Sequence, residues 1–141
     1  MAKIVNGQCL CGAVSYIARL EKEEFGACHC EMCRRWTGGV NLSFDGGKDV
    51  RFSGDSLALY DSSPWAERGF CSKCGSSLFY RSKANNGYHI SIGSLVDKSL
   101  ISSMKFASQI YIDSKPSSYE FLNKTNDMTE AEVIAFYSKK D

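Results

Sequence analysis

Seven cysteines fall into three tight clusters: Cys9-Leu10-Cys11-Gly12, Cys28-His29-Cys30-Glu31-Met32-Cys33 and Cys71-Ser72-Lys73-Cys74-Gly75. Two cysteines one or two residues apart can fill two corners of a tetrahedral metal site from one turn, and a second such turn completes it. The clusters at 9–11 and 71–74 look like partners. Each ends in Gly, the residue that lets a tight turn wrap its amides around a metal-bound sulfur at positive φ. The middle cluster lacks that Gly and offers three thiolates, Cys28, Cys30 and Cys33, followed by Arg34-Arg35. Three protein ligands with one open position is how catalytic zinc is held. The spacing therefore predicts up to two Zn²⁺ per chain, one a staple and the other a different kind of site whose fourth position is not supplied locally.

Other uses of cysteine fit less well. Disulfides need an oxidising compartment; the start MAKIVNGQCL lacks the apolar run of a signal peptide, and seven is an odd number. The expected location is therefore cytoplasmic. A thioredoxin-like role for Cys71-x-x-Cys74 needs a βαβ setting, whereas its flanks are short apolar alternations with turns. Iron–sulfur ligation shares the thiolate chemistry and is not separated from zinc by spacing. At the second centre three thiolates give Zn²⁺ a formal charge of about −1, which weakens it as a Lewis acid yet leaves it attractive to a soft external thiol. Arg34 and Arg35 stand ready to compensate that charge or to receive a carboxylate, or one is solvated and the other in a structural pair. His29 has three readings: fourth ligand, proton shuttle, or a side chain turned outward because both neighbours point in. Glu31 is a possible base or simply solvated. Trp36, Trp65, Phe70 and Tyr80 read as core or pocket wall, and His89 as an outward strand residue.

The elements that must hold these groups read mostly as strands. Residues 12–18 carry Val14, Tyr16 and Ala18 on one face, the period of a half-buried strand. Val40–Phe44 and Val50–Phe52 flank Asp45-Gly46-Gly47, which predicts a hairpin. Further strands are expected at Leu57–Tyr60, Arg68–Cys71, Leu78–Arg81, Tyr88–Ile92 and Lys105–Ile112. One helix stands out, where Thr129-Glu130-Ala131-Glu132 forms a capping box ahead of Val133, Ile134, Phe136 and Tyr137, and it reads as a packing helix. The pattern predicts a mainly β chain with a short C-terminal helix. Its 141 residues suit a single domain, 1–141. No stretch is long and apolar enough to span a membrane. Lys and Arg total 17 against 16 for Asp and Glu. Seven thiolates would remove seven charges and two zinc ions restore four, leaving the loaded protein near −2. That balance speaks against nucleic acid as a partner, and Arg34-Arg35 and Lys139-Lys140 are too small to form a basic stripe.

Taken together, Gly7-x-Cys9-x-Cys11-Gly12-x-Val14-x-Tyr16, Cys28-His29-Cys30-x-x-Cys33-Arg34-Arg35, Arg68-x-Phe70-Cys71-x-x-Cys74-Gly75-Ser76-x-Leu78 and Ile92-Gly93-Ser94-Leu95 resemble the glutathione-dependent formaldehyde-activating enzyme family, which includes centromere protein V-like proteins. The resemblance spans about residues 6–123. It implies a β-tent fold of short antiparallel sheets, a structural zinc on Cys9, Cys11, Cys71 and Cys74, and a reactive zinc on Cys28, Cys30 and Cys33. It further implies carbon–sulfur lyase chemistry on a small thiol partner, glutathione or its adduct S-hydroxymethylglutathione. The family's common Gly-Ser-Leu-Asp-Asp reads Gly93-Ser94-Leu95-Val96-Asp97 here, and Ser118 stands where an aromatic is frequent. The rival reading is a non-catalytic module in which both metals are structural and the surface binds a macromolecule.

Overall fold

The computed structural model describes residues 2–138; Lys139 and Lys140 lie outside the described residues. In chain order the elements are β1 (Lys3–Gln8), β2 (Ser15–Leu20), β3 (Glu24–Cys28), α1 (Glu31–Thr37), β4 (Asn41–Gly47), β5 (Arg51–Ser53), β6 (Leu57–Ser63), β7 (Ala66–Cys71), β8 (Ser77–Ser82), β9 (Tyr88–Ser91), α2 (Lys98–Ser103), β10 (Lys105–Ile110), β11 (Asn126–Met128) and α3 (Glu130–Ser138). The fold is mainly β. Contacts divide the described residues into two units: residues 2–23 with 43–104, and residues 24–42 with 105–138.

In the first unit β1, β2 and β5 form an antiparallel sheet, and β6, β7, β8 and β9 follow one another antiparallel, with β4 beside β9. The alternation predicted around Tyr16 is present, with Val14, Tyr16, Ala18 and Leu20 buried and Ile17 exposed. The strand starts only at Ser15 because residues 9–14 are spent on the first cysteine turn. Gly7 lies on β1 directly opposite Tyr16. A Cβ there would fall 2.1 Å from the Tyr16 ring, so the glycine is a seat for the aromatic. From that seat Tyr16 reaches Ser94, Oη to Oγ 2.6 Å. Ser94 Oγ gives its own hydrogen to the Ser91 carbonyl at 2.7 Å, so the phenol must be the donor to Ser94. Two of the sequence motifs are thereby tied together. Phe52 packs beside Tyr16 with ring centres 5.8 Å apart, and Phe79 and Tyr88 pack in turn on Phe52, at 4.8 and 5.7 Å.

The predicted hairpin at Asp45-Gly46-Gly47 is not formed. β4 pairs with β9, while β5 pairs with β2, so the two strands join different sheets. Asp45 Oδ1 accepts the Gly47 N–H at 2.9 Å, and Gly47 takes φ +73°; this local turn redirects the chain toward the aromatic cluster, where Phe52 gains its burial.

In the second unit β10 lies between β3 and β11, and both pairings are parallel, in contrast to the antiparallel first unit. Phe25 and Phe106 stack at 5.1 Å, and Phe121 meets Phe106 edge-on at 5.1 Å, giving a small aromatic core. The capping box at α3 is closed as the sequence predicts: Glu132 N–H donates to Thr129 Oγ1 (3.2 Å) and Thr129 N–H to Glu132 Oε1 (3.0 Å). Of its four large apolar residues only Val133 is buried; Ile134, Phe136 and Tyr137 are exposed. Trp65, expected as core or wall, is exposed as well.

Candidate metal centres

The first unit brings Cys9, Cys11, Cys71 and Cys74 together with all four sulfurs within 4.8 Å of one another. The Sγ atoms of Cys9 and Cys11 are 3.7 Å apart, and those of Cys11 and Cys71 3.8 Å apart. A tetrahedron of sulfurs at about 2.3 Å from a central zinc has edges of about 3.8 Å, so the spacing fits such an ion. Two turns of the same design hold the ligands. Gly12 and Gly75 both adopt positive φ, +80° and +76°, immediately after the paired cysteines. Gly12 N–H donates to the Cys9 carbonyl (3.2 Å) and Gly75 N–H to the Cys71 carbonyl (2.8 Å). Val14 N–H points at Cys9 Sγ at 3.3 Å, and Leu10 N–H donates to Ser76 Oγ at 3.0 Å. Because Ser76 Oγ accepts that bond, its hydrogen is free for Cys74 Sγ, 3.2 Å away. Hydrogen bonding from Ser76, with further bonds from backbone amides, brings the Cys74 thiol down to about 5, so a metal-ready thiolate is present at neutral pH.

The second unit gathers Cys28, Cys30 and Cys33, likewise within 4.8 Å of one another. Cys28 ends β3, Cys30 is the N-cap of α1 and accepts the Cys33 N–H at 3.3 Å, and Cys33 is buried in the first turn. The strand-to-helix corner thus delivers three sulfurs from six residues. Hydrogen bonds to Cys30 and Cys33, together with burial, push the Cys28 thiol far up, since three adjacent sulfurs cannot all ionise alone. A bound cation reverses that preference, which makes the donor set suited to a soft metal ion. Among the described residues no fourth His, Cys, Asp or Glu completes the group.

His29 is not in that group. It is 2% exposed, and its Nε2 lies 2.8 Å from Gln109 Oε1. It turns away from the sulfurs, as one of the three readings has it, but into the aromatic core near Phe121 rather than into solvent. Its hydrogen-bond role can be worked out from the far end of a chain of bonds. Thr125 Oγ1 donates to the Asp127 carboxylate (2.5 Å), so it must accept from Gln109 Nε2 (3.0 Å). Gln109 therefore presents its carbonyl to His29, whose Nε2 carries a hydrogen. Arg35 makes an exposed ion pair with Glu31 at 2.9 Å, an i,i+4 surface contact of small energetic weight that occupies both groups. Arg34 is half-buried on the same helix.

Three neighbours of the second centre escape a reading of the cysteines alone. Asn41 is buried, with Nδ2 3.7 Å from Cys33 Sγ. Gln109 is buried on β10 behind His29. Tyr111 follows β10, and its phenol is raised by burial and then by Cys30 and Cys28. The signals were a polar residue inside each of two apolar strands, Asn41 in Val40–Phe44 and Gln109 in Lys105–Ile112.

Residues 4–114 match the family described as glutathione-dependent formaldehyde-activating enzyme. A Schizosaccharomyces pombe protein named as an uncharacterised lyase is 35% identical over 131 residues, covering 92% of this chain and 93% of that protein. A Halomonas elongata protein named as a candidate glutathione-dependent formaldehyde-activating enzyme is 33% identical over 87 residues, 54% of this chain and 55% of that one. The crystal structure of a Rhodobacter sphaeroides protein is similar in fold, with a TM-score of 0.57 and 24% identity, over 72% of this chain and 99% of its own.

Proposed function

The chain belongs to the glutathione-dependent formaldehyde-activating enzyme family, and from that premise we propose that it is a zinc-dependent carbon–sulfur lyase acting on a small glutathione adduct such as S-hydroxymethylglutathione at Cys28, Cys30 and Cys33. The observation that carries this reading is the inequality of the two sulfur sets. Four sulfurs saturate a tetrahedral ion at Cys9, Cys11, Cys71 and Cys74, whereas three leave a position open at Cys28, Cys30 and Cys33. The first is the structural zinc and the second the reactive one. Zinc held by three thiolates supplies a soft cation that attracts an external thiol and favours its ionised form.

The reaction needs little more than orientation and charge control. In the cleavage direction the carbon–sulfur bond of the adduct breaks with its electron pair staying on sulfur, the carbinol O–H loses its proton, and the aldehyde C=O forms. In the addition direction the thiolate pair makes the carbon–sulfur bond and the carbonyl oxygen takes up the proton. Holding thiolate and carbonyl together removes the entropy cost of their encounter. Cys30 and Cys33 are fixed by the α1 cap, and Asn41 donates to Cys33, so the sulfurs are rigid before substrate arrives. Arg34 binds a glutathione carboxylate from α1, while Arg35 is engaged by Glu31.

The test is to add glutathione to zinc-loaded protein. Amide signals of residues 28–36 should shift far more than those of 9–11 or 71–74, and the decay of a hydroxymethyl-thiol adduct should accelerate. Protein that shows neither effect at millimolar glutathione is not this lyase.

A further inference from the structure

β10 runs parallel to β3 with Ile110 opposite Cys28, and the His29 N–H donates to the Ile110 carbonyl at 3.1 Å. The strand stops there. Tyr111, the next residue, turns into the left-handed region at φ 54°, ψ 43°, and its carbonyl accepts the Ser114 N–H at 2.9 Å. Among the described residues only Asn86 is another non-glycine with positive φ. Asn tolerates that conformation through its short polar side chain, and Asn86 sits in the connection between β8 and β9. An aromatic side chain has no such compensation, so the backbone at Tyr111 is strained. Strain of this kind, one residue past the strand that pairs with Cys28, points to a side chain held where it is needed.

The surroundings say what it is needed for. Burial favours the neutral phenol, which keeps its O–H. The register sets Tyr111 beside the corner that carries all three sulfurs, one residue past the partner of Cys28 and next to the carbonyl that receives the His29 N–H. Tyr111 is also half-exposed, so a ligand arriving from solvent can reach it.

We propose that Tyr111 is a further catalytic residue of the three-cysteine centre, its O–H donating a hydrogen bond to the substrate oxygen that gains negative charge as sulfur and carbonyl carbon join. This rests on the lyase reading of that centre. In the addition direction the thiolate pair forms the carbon–sulfur bond, the C=O π pair moves to oxygen, and that oxygen is held by Tyr111 until water protonates it. Tyr111 keeps its proton throughout. In the reverse direction water removes the carbinol proton, the same hydrogen bond supports the oxygen, and the carbon–sulfur pair leaves on sulfur.

The experiment compares wild type, Tyr111→Phe and Tyr111→Gly, all zinc-loaded, with glutathione and formaldehyde as the probe. Removing one oxyanion donor costs about a hundredfold in kcat, and Tyr111→Phe should lose on that order while its KM for glutathione, zinc content and melting temperature stay unchanged. Tyr111→Gly fits φ 54° without strain, and should be as inactive as Tyr111→Phe without melting lower. In wild type carrying ¹³C-labelled tyrosine, the Tyr111 ring signal, assigned by its loss in Tyr111→Phe, should move when glutathione and formaldehyde are added together. Wild-type kcat in Tyr111→Phe overturns the assignment and leaves the lyase reading standing. An unmoved Tyr111 ring signal in a protein that turns over also overturns it. A wild type without turnover overturns the lyase reading and this assignment with it.

Discussion

Replacing Cys74 by Ala tests the division of labour between the two sulfur sets most directly. Cys11 and Cys71 are 60 residues apart, so an ion they share closes a loop of that length. By the chain-entropy relation, such a closure removes about 14 cal/mol/K from the unfolded ensemble, or about 4 kcal/mol at 25 °C. Cys28 and Cys33 are five residues apart, and closing that short loop gives about 2 kcal/mol less. Structural zinc contributes about 10–16 kcal/mol of apparent binding energy, against about 5–15 kcal/mol for the net stability of a domain. Losing the tetrad therefore removes a term as large as the whole stability, and Cys74→Ala should be unfolded or have a urea midpoint near zero. Cys30→Ala should lose one zinc and keep a cooperative transition, because its ion cross-links one strand-to-helix corner. Far-UV circular dichroism against urea, with native mass spectrometry counting zinc in the same samples, makes the comparison. Equal midpoints for the two variants would refute the reasoning.

Glutathione binding at the second centre should weaken as pH falls, because protonating the incoming thiol opposes its coordination; titrations at successively lower pH, followed by amide shifts of residues 28–36, read this out. Arg34→Ala should weaken that binding by about 1 kcal/mol, roughly fivefold in Kd, as suits a half-exposed charge pair. Asn41→Leu should lower zinc affinity at the second centre by about tenfold to a hundredfold in chelator competition, leaving the first untouched, since it removes the amide that supports Cys33. Tyr16 is held up at about 12 by burial, which outweighs the bond to Ser94. Its neutral form is thus favoured by folding: the contribution is complete below pH 10 and is lost as pH rises to about 12, a change of about 2–3 kcal/mol. Tyr16→Phe should show a shallower fall of the urea midpoint than wild type between pH 9 and 11.5, and parallel curves would contradict the assignment.

The chemistry that spacing controls is legible in the amino-acid sequence. Paired cysteines followed by Gly announce two equivalent turns, and the turns close on each other. The strand around Tyr16 shows its alternation because one face is buried and the other wet, whereas β7 and β8 bury adjacent pairs, Arg68-Gly69 and Leu78-Phe79. The elements that escaped are those whose burial has another origin. β1 reads Lys-Ile-Val-Asn-Gly-Gln, with Ile4 exposed and a glycine under the Tyr16 ring, so its buried face carries little apolar signal. β3 is five residues long and pairs in parallel with a strand from far along the chain, a contact that local pattern does not encode. The hairpin at 45–47 had the right residues for a turn but the wrong partners, since Phe52 is decided by aromatic packing in another sheet. Around the second centre the ligands were visible and their supports were not. Gln109 and Asn41 stand out only as polar interruptions of apolar strands, and the left-handed backbone of Tyr111 leaves no mark in its residue type.

The two sulfur sets also differ in when they come into existence. Cys28, Cys30 and Cys33 emerge from the ribosome within six residues of one another, and the cap that orients Cys30 and Cys33 is local to that segment. Cys9 and Cys11 emerge earlier but stay a two-sulfur turn until Cys71 and Cys74 are made. Emergence follows chain order, so all three sulfurs of the triad are available before the tetrad is complete, while β3, which carries Cys28, waits for β10. On the proposed zinc reading, the set available first for metal would be the first to lose it in the finished protein. In a zinc-poor cell the proposed three-cysteine zinc would then follow current supply, while the four-cysteine staple would record the supply at the moment of folding.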